Sequence, residues 1–273
     1  MSSALAGRKV VVVGASSGLG RGVAVRAVRA GADVVLAARR ADRLAEVADE
    51  AGGGRPVVVD LRDDETCRQL ADDVRATLGH VDLLVVSAGA APLRRLVATR
   101  PEDWRDALET NLVGINRVLV ALVDLLGPES VVAVVSSEVV EAPRSHLGAY
   151  GASKAALEHS LAQWREEHPW LRLTTISLGA TVPTEFGHGF DGDEIVEALE
   201  AWTSSGRQLA AFMDTEQVCD VLAATLGSLL VAPTIGIERL TLRSPAPPVG
   251  DAEEAVAIAA ASRDPGSGGE RHA

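Results

Sequence analysis

Tyr150 and Lys154 place a phenol and an amine four residues apart in the segment Tyr-Gly-Ala-Ser-Lys. Side chains at positions i and i+4 share one face of a helix, so both groups can point into one cleft. A free tyrosine has a pKa near ~10 and is a poor base at neutral pH, whereas a nearby ammonium favours the phenolate. Tyr150 is the only tyrosine in the chain. The pair therefore indicates proton transfer to or from a bound small molecule.

Two serine hydroxyls lie at the end of the predicted strand that precedes this segment. Ser136 and Ser137 end the apolar run that starts at Ser130, which is typical of a buried strand. The carboxyl end of such a strand faces the ligand crevice of an open α/β sheet. A hydroxyl there can hydrogen-bond a substrate carbonyl while Tyr150 gives up its proton. The residues themselves leave both serines as candidates.

A glycine-rich turn lies near the start of the chain, after the apolar run Val10–Val13. A strand, a glycine turn and a helix in this order let the backbone approach a pyrophosphate and point a helix N-terminus at it. The alternative is a tight turn that binds nothing. We expect the turn to bind a dinucleotide through Gly14, Ser16, Ser17, Gly18, Leu19 and Gly20.

The end of the second predicted strand indicates which dinucleotide binds. An NAD enzyme needs a carboxylate there for the ribose hydroxyls, but this strand ends at Ala38 and is followed by Arg39 and Arg40. Arginine grips a phosphate bidentately and always carries its charge, which favours NADP(H) over a merely solvated basic loop. Asp60 and Leu61, after the third strand, are expected to hold the adenine.

The elements that must position these groups alternate along the chain. Apolar runs separated by helical stretches predict an α/β fold: a single doubly wound Rossmann-type domain, with a parallel sheet of about seven strands and helices on both faces. The predicted strands are Val10–Val13, Asp33–Ala38, Pro56–Asp60, Val81–Val86, Ser130–Ser136, Leu171–Ser177 and Gly236–Leu242. The predicted helices are Leu19–Ala30, Asp42–Ala51, Asp64–Leu78, Pro101–Leu126, Tyr150–Glu167 and Thr215–Leu230.

Two segments break this alternation. The insertion 181–206 is polar, contains Gly187, Gly189 and Gly192, and follows a strand at the ligand edge, so we expect a substrate lid. The Pro-rich and Gly-rich segment 244–273 reads as a flexible or loosely docked tail, in which Asp251–Ser262 has a helical composition. The catalytic domain is therefore expected to cover residues 1–243.

In order and spacing, the motifs together resemble the short-chain dehydrogenase/reductase family over Arg8–Leu242. The resemblance rests on Gly14–Gly20, Asp60, Ser87-Ala88-Gly89, Asn111-Leu-Val-Gly114, Ser137, Tyr150 and Lys154. It implies that Asn111, Ser137, Tyr150 and Lys154 are the catalytic residues. The thirteen-residue separation from Tyr150 selects Ser137 over Ser136. It also implies a water held by Asn111, a homodimer or homotetramer built on the helices Pro101–Leu126 and Tyr150–Glu167, and cofactor contacts from Ala88, Gly89 and Gly179.

Two motifs depart from the family pattern. The Asn-Asn-Ala-Gly that usually follows the fourth strand is Val-Ser87-Ala-Gly here. The family's Pro-Gly is Leu178-Gly179, and the fourth position after that glycine is proline instead of the threonine that holds the carboxamide. Either Thr181 or Thr184 is expected to take that part. Both departures concern cofactor positioning and leave the acid–base set intact.

The composition narrows the possible partners. A formal charge of −12 argues against nucleic acid, which requires clustered basic residues. The two cysteines and six histidines have no metal-ligand spacing, so no metal is expected, and two thiols make no disulfide framework. The sequence shows no targeting or membrane segment, and we expect a cytoplasmic protein without a membrane partner.

The function expected is an NADP(H)-dependent oxidoreductase that interconverts a small-molecule carbonyl and alcohol. The alternative from another class is a dinucleotide-binding regulator or sensor without turnover, whose sequence mark would be loss of the catalytic residues. An epimerase or dehydratase of nucleotide-linked sugars shares Tyr-x-x-x-Lys, but little room remains after Thr215 for its substrate domain. An apolar wall of Phe186, Phe190 and Trp202 favours a carbonyl on an apolar body.

Overall fold

The chain folds around one parallel sheet. The computed structural model describes residues 4–184, 186, 190, 192–251 and 257–258. Its strands are β1 Lys9–Val13, β2 Asp33–Ala38, β3 Arg55–Val58, β4 Leu83–Val86, β5 Val131–Val135, β6 Arg172–Leu178 and β9 Arg239–Leu242. The strand order is β3-β2-β1-β4-β5-β6-β9, and every neighbouring pair is parallel. The predicted doubly wound fold with seven strands is confirmed.

Helices cover both faces of this sheet, because apolar side chains leave the central strands in both directions. One core lies under α1 (Gly18–Arg29), α2 (Ala41–Ala51) and α8 (Thr215–Leu230). The other lies under α3, α5 and α6, which span Asp64–Thr77, Ile115–Leu122 and Gly148–Glu167. Cys219 is buried in the first core and Cys67 in the second. The two thiols therefore lie on opposite faces of the sheet.

The helix predicted from Pro101 towards Leu126 is not regular. It consists of α4 (Pro101–Leu108), a π-helical turn (Glu109–Gly114), α5 (Ile115–Leu122) and a short 3₁₀ turn. A single π-helical turn inside an α-helix changes the direction in which the following side chains point. Such π-bulges frequently occur at functional sites. Asn111 lies in this turn and is fully buried.

Several predicted element bounds differ from the structure by one to three residues. The helix α2, for example, begins at Ala41, one residue before the predicted start. The strand β9 begins at Arg239, because Gly236 and its neighbours form an irregular connection. By contrast, Gly31 has a φ of +86°, which is the left-handed conformation expected after α1.

The insertion 181–206 contains a helix that the glycines obscured. Its described part comprises β7 (Thr181–Val182), residues 186 and 190, and α7 (Gly192–Ser204), whereas Gly187 and Gly189 lie outside the described residues. The strand β7 pairs in parallel with β8 (Met213–Asp214). The apolar spacing within Glu-Ile-Val-Glu-Ala-Leu-Glu-Ala-Trp explains α7, which buries Ala198 and Leu199.

The first residues of the predicted tail pack on the domain. The Val249 amide donates to the Gln208 carbonyl at 2.9 Å, the Ala210 amide donates to the Pro247 carbonyl at 2.9 Å, and Val249 is buried. Residues 257 and 258 are helical, and the other residues of Asp251–Ser262 after Asp251 lie outside the described residues. Over the described ranges, no helix has the length and apolar character that crossing a membrane requires.

Candidate active site

A cavity of about 1260 Å³ opens at the carboxyl ends of the strands, where ligands bind in open α/β sheets. Most residues selected from the sequence line it. They are Gly14, Ser16, Ser17, Gly18, Leu19, Arg39, Arg40, Asp60, Leu61, Ala88, Gly89, Ser137, Tyr150, Lys154, Gly179, Thr181 and Thr184. Gly20 and Asn111 do not line it.

The glycine turn brings backbone close to backbone at one end of this cavity. Gly14 has a φ of +89°, and a Cβ there would lie 2.7 Å from the Ala88 nitrogen. A Cβ on Gly20 would lie 2.2 Å from the Gly14 carbonyl oxygen, so Gly20 is required for packing within the turn. Gly18 starts α1 with a φ of +51° and an open side towards the cavity. The turn therefore offers a cradle and a helix N-terminus to a phosphate group.

Arginines gather beside this turn at the end of β2. Nη2 of Arg40 donates to the Ser16 and Ser17 hydroxyls at 3.1 and 3.2 Å. Arg39 also lines the cavity, and Ala38 before it is buried. The Asp60 carboxylate accepts from the Arg62 guanidinium at 2.8 Å, and this bond lowers the pKa of Asp60 to about 2. This end of the cavity is thus lined by two guanidiniums, two hydroxyls and one ionised carboxylate.

Tyr150 lies in the first turn of α6 and is only 7% exposed. Its phenol lies within interaction range of the Ser137 side chain, and its ring contacts the edge of Phe186 with 5.2 Å between the ring centroids. Burial raises the pKa of Tyr150 to about 12, and the interaction with Ser137 opposes this shift. The Ser136 hydroxyl donates to Glu158 at 2.6 Å instead. Ser137, and not Ser136, is therefore the serine paired with the phenol.

Lys154 is buried one turn after Tyr150. Its ammonium donates to the Val135 carbonyl at 2.9 Å and lies 6.0 Å from the centroid of the Tyr150 ring. Burial lowers the pKa of Lys154 to about 8, and the charge of Glu158 opposes this shift. In this structure burial decides the direction of the pKa shift of Tyr150, and the contact that opposes it is Ser137.

Asn111 fixes the loop after β4 from behind the cavity. Its Oδ1 accepts from the Ala90 amide at 2.7 Å, and its Nδ2 donates to the Ala90 carbonyl at 2.7 Å and to Ser153 at 2.9 Å. A Cβ on Gly89 would lie 3.4 Å from Asn111 Oδ1 and 3.7 Å from Lys154 Nζ. The Asn111 side-chain amide and the Lys154 ammonium thus both lie close to Gly89.

The two threonines considered for the cofactor both line the cavity after β6. The Thr181 hydroxyl donates to the Gly179 carbonyl at 2.9 Å, and the Thr184 hydroxyl donates to the Thr181 carbonyl at 3.3 Å. Thr184 also lies across from the glycine turn, because a Cβ on Gly18 would be 3.9 Å from its methyl group. The structure brings both candidates to the site.

Sequence reasoning missed the polar groups at the other end of the cavity. Arg144 forms an ion pair with Glu138, and its guanidinium lies 5.7 Å from the Trp202 ring centroid. His146 is buried with a φ of +67° and contacts Glu197 of α7 at 3.4 Å. No local pattern signals the contacts with Trp202 and Glu197, because α7 supplies both residues from more than fifty positions away.

Within the ranges that the structure describes, no group of three histidine, cysteine, aspartate or glutamate side chains is arranged to bind a metal ion.

Curated relatives include oxidoreductases of several kinds. A glycine betaine reductase of Emericella nidulans is 32% identical over 81% of this chain, which spans 18% of that protein. An uncharacterised oxidoreductase of Mycobacterium tuberculosis is 30% identical over 84% of this chain and 89% of its own. An 11-beta-hydroxysteroid dehydrogenase A of Sesamum indicum is 33% identical over 65% of this chain and 53% of its own. The chain thus spans less than two thirds of two of these three relatives.

Among solved structures, an alcohol dehydrogenase of Thermococcus sibiricus complexed with 5-hydroxy-NADP superposes with a TM-score of 0.74 and 25% identity. The match covers 86% of this chain and 96% of that enzyme. A dehydrogenase/reductase of Sinorhizobium meliloti 1021 gives a TM-score of 0.73 at 25% identity over 92% and 97% of the two chains. Residues 8–193 match the family model described as short chain dehydrogenase. The chain therefore belongs to the short-chain dehydrogenase/reductase family of oxidoreductases.

Proposed function

We propose that the protein interconverts a small-molecule carbonyl and its alcohol with NADP(H), and that Tyr150 is the acid and base. The observation that carries this proposal is that the buried Tyr150 phenol and the buried Ser137 side chain interact in the wall of the cavity. A carbonyl oxygen that accepts from both hydroxyls would be held and polarised at the point where it gains a proton. Lys154 lies one turn away.

The cofactor would occupy the cavity from the glycine turn towards Tyr150. Gly14 lets the turn approach the loop after β4, Gly18 leaves space for a pyrophosphate, and Gly89 lies next to the Lys154 ammonium. Asp60 and Leu61 would contact the adenine. Thr181 or Thr184 would hold the carboxamide at the other end. When bound, the nicotinamide supplies or accepts the hydride.

In the direction of reduction, the chain has to supply a proton to the carbonyl oxygen. With its pKa raised to about 12, Tyr150 is a protonated phenol at neutral pH and ready to donate. The charged form of Lys154 stabilises the phenolate left behind and would bind the ribose of the nicotinamide. Following the family resemblance, we also propose that Asn111 holds a water through which Lys154 exchanges protons with solvent.

The test of this proposal is a panel of ketones and aldehydes with NADPH, followed by variants on the best substrate. Tyr150→Phe keeps the ring and its contact with Phe186 but removes the proton, so turnover should fall about 10²–10⁴-fold while NADPH still binds. Ser137→Ala should lower turnover with little change in NADPH affinity, whereas Ser136→Ala should retain most of the activity. Lys154→Ala should damage both turnover and affinity.

Wild-type turnover in Tyr150→Phe would show that the proton comes from elsewhere. Tight NADPH binding without turnover of any carbonyl or alcohol would instead favour the regulator or sensor.

We propose NADP(H) and not NAD(H) because of the groups at the end of β2. Arg39, Arg40 and the Ser16 hydroxyl surround the place of the ribose, and no carboxylate follows Ala38. One structural relative was solved with 5-hydroxy-NADP. A 2′-phosphate there would accept charge-assisted bonds that a hydroxyl cannot match.

NADPH should accordingly bind at least about tenfold more tightly than NADH, a difference of about 1.4 kcal/mol. Arg39→Ala should remove most of that difference by weakening NADPH binding alone. Arg43→Ala is the control, because Arg43 pairs with Glu46 one turn further along. Calorimetry that gives equal dissociation constants for the two cofactors in the wild type would exclude NADP(H) preference.

We further propose that the chain assembles into a homodimer or homotetramer through the helices of residues 101–126 and α6. Val113 and Val120 on the first of these are exposed, Val120 by 64%. Exposed apolar side chains on one helix surface are typical of an interface.

A further inference from the structure

An arginine that is not among the proposed cofactor groups lies in the wall of the active-site cavity. The Arg144 side chain is only 9% exposed, and one nitrogen, Nη2, donates to Glu138. Its Nε is buried and has no hydrogen-bond partner. A buried donor without an acceptor costs about 1–3 kcal/mol, so a ligand that supplies the acceptor recovers that energy.

The charges around Arg144 are not balanced. Burial lowers its pKa, Glu138 opposes this effect, and the nearby positive charge of Arg207 adds to it. Arg94, another arginine of the cavity, differs because it contacts both Asp103 at 3.2 Å and Glu194 at 2.7 Å. Of these two cavity arginines, Arg144 therefore gains more from a further negative charge.

An apolar wall joins Arg144 to Tyr150. The Trp202 ring lies under the guanidinium, and Trp202 packs with Phe190 in the buried cluster that contains Tyr150. Phe186 continues this wall with its edge on the Tyr150 ring. A substrate whose carbonyl reaches Tyr150 would thus lie along aromatic rings and end towards Arg144.

We propose that Arg144 is a specificity-determining residue that binds a carboxylate on the substrate. The substrate class is a carbonyl compound with an apolar body and a carboxylate at its other end, which rests on the carbonyl reduction proposed above. Glu138 orients the guanidinium from Nη2, and the guanidinium lines the cavity in which the ligand would bind. A carboxylate fits better than a neutral acceptor, because charge-assisted hydrogen bonds are about twice as strong and the local excess is positive.

The test uses aryl ketones that carry a terminal carboxylate after two to six methylene groups, each beside its methyl ester. With NADPH, the wild type should show kcat/KM at least about tenfold higher for the acid than for the ester at one or more chain lengths. Arg144→Met should lower kcat/KM for the acid to the level of the ester. Equal values for acid and ester at every length, or an equal loss of both in Arg144→Met, would overturn the proposal.

The variant leaves Glu138 without its partner, so folding must be separated from recognition. The double variant Glu138→Gln/Arg144→Met removes both charges and should show the same loss of acid preference with a wild-type melting temperature. Arg68→Met is the control, because Arg68 pairs with Glu65 on the surface of α3, and it should retain the preference. Persistence of the acid preference in the folded double variant would also overturn the proposal.

Binding of 5-phenylpentanoate, which has no ketone or aldehyde group to be reduced, separates this inference from the proposed reaction. Calorimetry with NADPH present should show binding to the wild type and at least about tenfold weaker binding to both Arg144 variants. If that holds while no ketone is reduced, the carboxylate site stands and the proposed reaction fails. If neutral ketones are reduced but the carboxylate does not bind, the reaction stands and the site proposal fails.

Discussion

The two buried ionisable residues of the site are shifted in opposite directions by the same cause. Removing Tyr150 and Lys154 from water disfavours the charged form of each, which raises the pKa of the phenol to about 12 and lowers that of the amine to about 8. The phenol is therefore a proton donor across the neutral range, whereas the amine loses its charge at mildly alkaline pH. Reduction should be limited on the alkaline side by Lys154, not by Tyr150.

This assignment predicts how one variant moves the pH profile. With Lys154 as the limiting group, kcat/KM for reduction falls as pH rises through about 8. Glu158 raises the pKa of Lys154, so Glu158→Gln should lower that pKa further and move the alkaline limb to lower pH. Glu141→Gln is the matched control, because Glu141 shares with Glu158 the partner Arg239. An unmoved limb, or one moved to higher pH in Glu158→Gln, would exclude Lys154 as the limiting group.

At the scale of elements, the π-helical turn fixes the loop after β4 in the wall of the cavity. It directs Asn111 inwards, where the amide bonds both backbone groups of Ala90 and the Ser153 hydroxyl. Without the wide turn, the α4 and α5 helices would form one regular helix with a different face towards the loop after β4. The turn thus couples the helix layer to the place where Gly89 meets Lys154.

Two asparagines in the same helix layer separate fold from function. Asn111→Leu removes three buried hydrogen bonds and should lower the free energy of unfolding by about 1–3 kcal/mol and also lower turnover. Asn116→Leu removes bonds to Ser160 and Trp164 outside the cavity, so it should lower stability and retain turnover. Urea denaturation and steady-state rates give both quantities. Full turnover in a folded Asn111→Leu protein would limit Asn111 to a structural part.

The sequence predicted the elements whose signal is local. Val10–Val13 and Asp33–Ala38 are continuous apolar runs and gave the strands of the sheet centre within one residue. The π-helical turn was missed because its residues continue a helical composition, and α7 was missed because glycines precede it. At the cavity, Arg144 gave no signal, since its contact with Trp202 exists only after the insertion folds back.

At the scale of the whole molecule, the exposed valines test the proposed assembly. One chain has a mass of 28.4 kDa, so light scattering should give about two or four times that mass. Val120→Glu puts a charge where an apolar side chain is 64% exposed and should shift the population towards the single chain without unfolding it. Val231→Glu is the control, because Val231 is equally exposed after α8. A single-chain mass for the wild type at micromolar concentration would contradict the proposal.

The positions of the two cysteines make them probes of local opening on the two faces of the sheet. Each thiol is buried under a different helix layer, and burial raises the pKa of each to about 11, so neither reacts while its layer is in place. The rate of Cys219 alkylation measures how often α1 and α8 separate. The two helices pack closely at this point, because a Cβ on Gly22 of α1 would lie 2.4 Å from the Cys219 sulfur. Alkylation of Cys67 counts departures of α3 from the opposite face. Because the chain contains no other cysteine, the two rates can be followed in one unmodified sample, face by face.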